Sequence, residues 1–385
     1  MRLGVCCKTN LHTYSDKEKW SLIRYLDTGS ITEGRIDEIQ TLYPGVDKIP
    51  SRARRKASVG DILFSTVRPN QKHYGIIEAG TENLLVSTGF TVVTVDTTIA
   101  DPYFIYYYLT QSSVIESLQA IAEQSTSTYP SIKPSDIEDI ELDLPELETQ
   151  KKIGSTLRML DRKIALNEEI NDNLQQQAFS VFDNLIANAE NNDCTVSDYA
   201  FLNPKRTLAK NQVSRSIDMS QLSTSGAFPS GWEMKPFNGG MRFTNGDTLL
   251  ARITPCLENG KTAFIDFLDD GEVAFGSTEY IVLAPKNDTP PEMLYCLARY
   301  PAFVDYAVKN MNGSSGRQRV SAETVGQYRL PLFDKHSLVL FKEVVSPMFL
   351  KMRYNSLENM RLAELRDALL PKLMSSEINV SAVQL

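Results

Sequence analysis

The sequence of 385 residues contains two copies of one pattern, and this repeat constrains the fold more than any other feature. Three landmarks recur at one displacement (320 − 132, 355 − 167 and 362 − 174 all equal 188): Ile132 with Val320, Asn167 with Asn355, and Leu174 with Leu362. Upstream, residues 60–63 and 246–249 both begin with Gly-Asp, and residues 87–90 and 277–280 both begin with Ser-Thr. A chain built from two copies of one unit tends to be pseudo-twofold. Such a chain suits a target that also has two halves.

The composition indicates a globular protein of two to three domains. Hydrophobic residues make up 42% and charged residues 23% of the sequence, which is ordinary for globular chains. No apolar run approaches the roughly 18 residues of a membrane span, and we expect a cytoplasmic protein. The five cysteines are scattered and occupy different places in the two copies, which indicates reduced thiols. Because the three histidines lie at unrelated positions, the sequence predicts no metal site.

Each copy opens with a mixed segment, residues 1–146 and 191–334, that we predict to be an α+β domain. Residues 60–67 and 91–95 in the first segment are rich in β-branched and apolar side chains, which predicts strands. The corresponding strands of the second segment are expected at 246–252 and 279–283. A proline suited to the first turn of a helix stands at Pro102 and at Pro291. Strands followed by helices without strict alternation favour the α+β class.

Each copy closes with a long helix, predicted within residues 147–190 and within residues 335–385. Apolar side chains recur at alternating spacings of four and three, which is the period of a coiled-coil seam. In both helices the two middle seam positions are asparagine: Asn167 and Asn171 in the first, Asn355 and Asn359 in the second. Polar residues in a seam reduce stability and fix the register of pairing. We therefore assign these four asparagines to helix pairing.

The orientation of the helix pair stays open at the level of the pattern. Parallel and antiparallel pairing would both bring the asparagine layers together. An internal twofold axis normal to the helices favours the antiparallel arrangement. In a third arrangement, each helix packs only on its own globular domain. A seam sustained over about five heptads disfavours that arrangement.

The sequence lacks the common catalytic signatures. It contains no phosphate-binding glycine loop after a strand and no Gly-x-Ser-x-Gly elbow. No carboxylate-carboxylate-lysine triad stands out in both copies, and Asn203-Pro204-Lys205 reads as a turn. We therefore predict a non-catalytic role. An enzyme with an unrecognised nuclease or methyltransferase site, and a structural adaptor that binds only protein, remain as alternatives.

Basic and amide side chains recur around equivalent strands of both copies. Such side chains on loops bridge phosphates and read base edges. The predicted DNA-binding residues are Arg52, Arg54, Arg55, Lys56, Arg68, Asn70, Lys72, His73, Ser125, Thr126 and Tyr129 in the first copy, and Arg252, Lys261, Ser314, Arg317 and Arg319 in the second. Among these, we expect Arg54→Ala and Arg55→Ala to weaken DNA binding.

Two observations oppose the DNA-binding interpretation. The net charge of −8 argues against nucleic-acid binding when it is taken alone. A basic run beside a strand is also more often a solvated edge that prevents aggregation. Because the acidic residues concentrate in other places, such as residues 138–148, a basic face remains compatible with the net charge.

The two Gly-Asp strands, residues 60–69 and 246–261, and the stretch from Ile132 to Ile153 resemble the target-recognition domains of a known family. The C-terminal segment 365–373 resembles the distal helix of the same family. The whole chain is similar to the DNA specificity subunit of Type I restriction–modification systems, and the two-copy arrangement is part of the match. The resemblance makes 1–146 and 191–334 two tandem target-recognition domains. Residues 147–190 and 335–385 become the spacer helices, the latter with the C-terminal tail, which form an antiparallel coiled coil in a pseudo-twofold molecule.

The resemblance also implies a function. Each recognition domain would bind one half of a bipartite, asymmetric site in double-stranded DNA, and the chain itself would do no chemistry and bind no cofactor. Two methyltransferase subunits, which bind S-adenosylmethionine and methylate adenine, would assemble on it. Two nuclease subunits that use ATP and Mg would join for restriction. A helix of about 36 residues spans ~54 Å, so the helices are expected to set an unread gap between the two halves of the site.

Overall fold

The computed structural model describes residues 1–125, 129–189, 194–314 and 316–380. The chain divides into two compact units. Unit 1 combines Met1–Arg162 with the residues from Glu364 onward, and unit 2 is Lys163–Ala363. Each of the two long helices therefore contributes one part to each unit. Within the described ranges, no helix is both long enough and apolar enough to cross a membrane.

Unit 1 contains two four-stranded sheets and three short helices, followed by the first long helix. Its strands are β1 (Cys7–Thr9), β2 (Ile23–Leu26), β3 (Ile31–Thr32), β4 (Arg35–Ile36), β5 (Gln40–Leu42), β6 (Ala53–Lys56), β7 (Ile62–Ser65), β8 (Tyr74–Ile76), β9 (Leu84–Ser87) and β10 (Phe90–Val95). Its helices are α1 (Pro102–Leu109), α2 (Ser112–Glu123), α3 (Pro134–Glu138) and the start of α4 (Leu147–Ala187). One sheet has the order β1-β10-β7-β8 and the other β5-β2-β9-β6.

Unit 2 repeats this plan. Besides the second part of α4, its elements are β11 (Cys194–Thr195), α5 (Val196–Tyr199), β12 (Ala200–Leu202), β13 (Val213–Ile217), β14 (Glu233–Pro236), β15 (Met241–Phe243), β16 (Thr248–Ala251), β17 (Thr262–Phe264), β18 (Ala274–Gly276), β19 (Tyr280–Pro285), α6 (Pro291–Arg299), α7 (Pro301–Lys309), α8 (Ala322–Gly326), β20 (Arg329–Leu330) and the first part of α9 (Lys335–Met374). The sheets run β12-β19-β16-β17 and β14-β13-β18-β15.

The two units therefore share one strand topology. In both, the first sheet is antiparallel throughout, and the second contains one parallel pair, β2 with β9 and β13 with β18. The helices α1 and α6 begin at Pro102 and Pro291 as predicted. The expectation of an α+β fold built twice is confirmed, and the recurring sequence landmarks mark recurring structural elements.

The Gly-Asp landmark has a local structural reason. Gly60 and Gly246 have φ angles of 89° and 87°, a region that residues with a Cβ atom rarely adopt. The following carboxylates close the turn, since Asp61 Oδ2 accepts from Ser58 N and Asp247 Oδ2 accepts from Thr244 N, both at 2.7 Å. Burial raises the pKa of Asp247 to about 6. This landmark thus shapes the start of β7 and β16.

The long helices belong to the hydrophobic core of each unit. In unit 1, Ile153 and Leu157 of α4 and Leu373 of α9 pack in the cluster that covers α1 and α2. In unit 2, Phe182 of α4 packs with Phe341 of α9 in the cluster that covers α6. The long helices therefore pack both on the globular parts and on each other. The alternative, in which each helix packs only on its own globular domain, does not occur.

The asparagines of the seam hydrogen-bond to one another within unit 2. Asn355 Nδ2 donates to Asn171 Oδ1, and Asn167 Nδ2 donates to Asn359 Oδ1, each at 2.8 Å. Partner numbers fall along α9 as they rise along α4, so the helices run antiparallel. Asn167 and Asn355 are 1% exposed, and a buried amide needs such partners.

A polar contact also occupies the seam in unit 1. Tyr107 donates its hydroxyl proton to Asp161 Oδ2 at 2.6 Å, and Arg366 Nη1 donates to Asp161 Oδ1 at 2.7 Å. Burial raises the pKa of Tyr107, so the phenol remains the proton donor. This contact connects α1, α4 and α9 within the unit.

Replacing one asparagine of a pair should lower the unfolding free energy more than replacing both. We expect Asn355→Leu to lower the unfolding free energy by about 1–3 kcal/mol, because Asn171 Oδ1 loses its donor in a buried seam. The double variant Asn171→Leu with Asn355→Leu should recover most of that loss, since two apolar side chains then meet. Urea-unfolding midpoints of the wild type, both single variants and the double variant give the coupling. If the losses of the two single variants simply add up in the double variant, the predicted coupling between Asn171 and Asn355 is wrong.

Candidate nucleic-acid interface

Three chain segments of unit 1 meet where β7 ends. Thr66 N donates to Gly89 O at 2.8 Å, Ile132 N donates to Thr66 O at 2.9 Å, and Arg68 N donates to Pro130 O at 3.0 Å. We call this arrangement the three-segment framework of unit 1; it consists of residues 66–68, 87–89 and 130–132. It brings Arg68 beside the loop that ends at Tyr129, two of the residues predicted to bind DNA.

The same framework recurs in unit 2 at residues 252–254, 277–279 and 318–320. Arg252 N donates to Glu279 O, Val320 N donates to Arg252 O, and Thr254 N donates to Gln318 O, each at 3.0 Å. An isolated β-bridge follows in both units, Val67 with Ser131 and Ile253 with Arg319. The backbone of the candidate interface is therefore duplicated together with the sheets.

The unit 1 framework presents an exposed cation on an aromatic ring. The guanidinium carbon of Arg68 lies 5.2 Å from the centroid of Tyr129, whose side chain is 58% exposed. Arg68 and Lys72 both have a positive φ, on either side of the turn that contains the exposed Asn70. Residues with a Cβ atom rarely hold this conformation except at turns and binding sites. Ser125 Oγ accepts from Ser131 N at 3.3 Å, while Thr126 lies outside the described residues.

The basic run of β6 does not form a single patch. Arg52 is exposed and its carbonyl accepts from Thr88 N at 2.9 Å, which attaches it to the framework. Arg54 is half-buried, and its carbonyl accepts from Tyr14 N at 2.7 Å. Arg55 turns its guanidinium inward and donates to Asn10 Oδ1 and Phe90 O. Burial lowers the pKa of Arg55, and its hydrogen bonds connect Asn10 to the first residue of β10.

Three other residues of unit 1 that were predicted to bind DNA, Lys56, Lys72 and His73, contact groups within the protein. Lys56 Nζ contacts Glu18 Oε2 and lies 5.2 Å from the ring centroid of Trp20. Lys72 Nζ contacts Glu33 Oε1. His73 Nδ1 lies 2.7 Å from Ile31 O. The sequence placed these cations near the interface but did not indicate their acidic partners, which come from distant parts of the chain.

In unit 2 the predicted residues also separate into paired and exposed groups. Arg319 binds the Glu279 carboxylate through Nε at 3.0 and 2.9 Å and through Nη2 at 2.7 Å. Lys261 Nζ donates to Met219 O at 2.7 Å. Ser314 and Arg317 are exposed in one turn, with Arg317 N donating to Ser314 O at 3.0 Å.

Glu279 is the residue of this interface that the sequence interpretation missed. Hydrogen bonds from Arg319 lower the pKa of Glu279, so its carboxylate is ionised at neutral pH. The alignment of the two copies could have identified Glu279, because Ser-Thr-Gly in the first copy aligns with Ser-Thr-Glu in the second. In the part of the chain that the structure describes, no group of three or more His, Cys, Asp or Glu side chains is arranged to hold a metal ion.

Comparison with known proteins agrees with this architecture. The family model for the Type I restriction modification DNA specificity domain matches residues 53–176. The Type I restriction enzyme HindI specificity subunit of Haemophilus influenzae is 25% identical, across 96% of this chain and 97% of its own length. The Type I restriction enzyme EcoAI specificity subunit of Escherichia coli is 33% identical over 133 residues, 33% of this chain and 22% of the relative. The chain is thus similar to Type I restriction enzyme specificity subunits over nearly its whole length.

The solved structures support the fold. The crystal structure of the Type-I restriction-modification system S subunit from M. genitalium matches with a TM-score of 0.55 at 17% identity, covering 97% of this chain and 95% of that one. The prediction of a non-catalytic, DNA-recognising role agrees with these matches, because the matched relatives are specificity subunits. The region matched by the family model contains the unit 1 framework together with the first part of α4.

Two arginines that are close in sequence should behave differently. We expect Arg68→Ala to weaken DNA binding and to reduce by about one the slope of log affinity against log salt, because an exposed cation that neutralises a phosphate is lost. Arg55→Ala should instead lower the unfolding free energy, because Asn10 and Phe90 lose a donor. Salt-dependent mobility shifts and urea unfolding measure the two effects. The exposed Arg2, which pairs with Asp139, is the matched control as Arg2→Ala. An unchanged salt slope for Arg68→Ala would refute its assignment.

Proposed function

We propose that this chain is the specificity subunit of a Type I restriction–modification system and that it reads a bipartite, asymmetric site in double-stranded DNA, with one half read by residues 1–146 and the other by residues 191–334. The observation that supports this proposal is the three-segment framework, which occurs twice with the same backbone hydrogen bonds. Phosphate contacts position a protein on DNA, and side chains at base edges specify the sequence. Because the backbone is duplicated, the two units can approach two DNA segments in the same way. Because their side chains differ, the two units can recognise different base sequences.

The framework side chains differ in their hydrogen-bonding character. Unit 1 presents Arg68 with the ring of Tyr129, and unit 2 presents Arg252, Glu279 and Arg319. Donors and acceptors at base edges distinguish all four base pairs in the major groove. Two different sets of side chains therefore select two different DNA sequences, and the complete site is asymmetric.

The unread gap between the two halves would be set by the long helices. The helix α4 contains 41 residues, which corresponds to about 60 Å at about 1.5 Å per residue. One turn of DNA is about 34–36 Å long. A helix pair of this length would leave base pairs between the two recognised segments unread.

Lengthening both helices together tests this proposal. One heptad inserted between Arg162 and Lys163 and another between Ala363 and Glu364 stand opposite each other in the antiparallel register, and each lies at a boundary between units. Seven residues add about 10 Å of helix, so we expect the gap to lengthen by about three base pairs. Both recognised sequences should stay the same. Sequencing methylated adenines in cells that carry the complete system measures the gap.

The control for this experiment is the heptad inserted in α4 alone. It places the seam asparagines out of register, and we expect methylation to be lost. A double insertion that leaves the gap unchanged would refute the role of the helices. A wild-type protein that directs methylation to no two-part site would refute the bipartite site itself.

We further propose that two methyltransferase subunits and, for restriction, two nuclease subunits assemble on this chain. The methyltransferase would bring S-adenosylmethionine and the nuclease would bring ATP and Mg, so the chain's own task is to bind DNA and hold partners.

An exposed apolar stripe on α9 supports the assembly. Leu340, Val344, Leu350 and Tyr354 are 47%, 47%, 43% and 58% exposed. They share one helix face, whereas Phe341 and Val345 on the opposite face are buried in the core. Apolar exposure of this kind marks a protein interface.

Charges placed on the stripe should release the methyltransferase. We expect Val344→Glu with Tyr354→Glu to reduce co-purification of the methyltransferase subunit at least tenfold, because burying an unpaired carboxylate is costly. DNA binding by the chain alone should not change. Lys342→Glu introduces the same side chain at an exposed position outside the stripe and is the matched control. Unchanged co-purification in the double variant would remove the stripe from the interface.

A further inference from the structure

The unit 2 framework carries three charged side chains at positions where unit 1 carries none. The corresponding pairs are Thr66 with Arg252, Gly89 with Glu279, and Ser131 with Arg319. Because the backbone hydrogen bonds are the same in both units, the difference lies in side-chain chemistry alone. A feature confined to one framework concerns what unit 2 recognises and not how both units are built.

Glu279 is held in a fixed orientation at the surface. Arg319 binds the Glu279 carboxylate through three hydrogen-bond contacts. The backbone N–H of Glu279 donates to Ser277 Oγ at 3.1 Å. The Glu279 side chain is nevertheless 26% exposed. A carboxylate oxygen has more than one lone pair, so Glu279 can accept a further hydrogen bond while Arg319 holds it. Side chains fixed in this way before binding make precise contacts.

Arg252 stands directly beside this carboxylate. Its N–H donates to Glu279 O at 3.0 Å, so the two residues are cross-strand neighbours. The Nε of Arg252 is buried and has no hydrogen-bond partner among the described residues. A buried donor without an acceptor is costly. The cost is removed only if ligand binding rearranges the guanidinium so that Nε gains an acceptor.

A carboxylate on a surface that faces DNA repels the phosphates, so its presence points to a base that donates a hydrogen bond. In the major groove a C·G pair offers the N4 amino group of cytosine as donor and O6 and N7 of guanine as acceptors. Glutamate accepts from cytosine N4, and arginine donates to guanine O6 and N7. An acceptor fixed next to a guanidinium is therefore complementary to this pair.

We propose that Glu279 and Arg252 together read one C·G base pair in the DNA half-site recognised by unit 2. Glu279 accepts from the cytosine amino group, and Arg252 donates to the guanine. Arg319 is a positioning residue that orients Glu279. This assignment rests on the proposed function, since it requires that unit 2 reads its own half of the DNA site.

The test is a selection of DNA by the full chain from duplexes randomised in both half-sites, with the wild type and the variants Glu279→Gln and Arg252→Gln. We expect each variant to reduce the preference for C·G at least about tenfold, and at the same single position of the second half-site. The first half-site should be selected as in the wild type. Glu323→Gln removes an exposed carboxylate of unit 2 on α8, and it should leave both half-sites unchanged.

Three outcomes would overturn the inference: variants that select the wild-type sequence, variants that relax different positions, or variants that lose every position of the second half-site together. The last outcome would assign the charged residues to folding of unit 2 and not to base reading. Retention of the first half-site in each variant shows that unit 1 remains folded, and retention of the other positions of the second half-site shows the same for unit 2. If the wild type itself selects no two-part sequence, the proposed function fails, and the two failures are thereby distinguished.

Discussion

The pairing of the two long helices is the constraint on which the rest of the structure depends. Apolar side chains of both helices complete the core of unit 1, and other side chains of the same two helices complete the core of unit 2. Neither core is closed by the strands and short helices alone. Residues 167, 171, 355 and 359 limit the register of the pair, because a shifted register would bury their amides against apolar side chains.

The duplication separates scaffold from specificity. Backbone hydrogen bonds join the three framework segments in the same way in both units, so the candidate interface has one backbone geometry built twice. The side chains on that geometry diverge, and the contrast between Gly89 and Glu279 is the sharpest example. Backbone geometry changes slowly under substitution because the cores fix it, whereas an exposed side chain can change without disturbing packing.

The fold was more predictable than the interface. Hydrophobic periodicity and the Gly-Asp and proline landmarks predicted the strands β7 and β16, the helices α1 and α6 and the long helix of each copy, because these depend on local spacing. The antiparallel orientation of the long helices was favoured by the internal repeat and not by the spacing. The basic residues were identified by type alone. The structure shows that Arg55, Lys72 and Arg319 bind groups within the protein, and no local pattern encodes these partners, which lie about 40 residues away.

The sequence by itself determined that the chain is a double copy, that each copy joins an α+β domain to a long helix, and that polar residues interrupt the seam at its middle. Those properties follow from spacing, which is written along the chain. Only the tertiary structure decided which of the predicted cations form ion pairs within the protein, because that depends on side chains brought together from distant segments. It also showed Glu279 beside Arg252, a contact between residues 27 positions apart (279 − 252) that exists only once the strands pair.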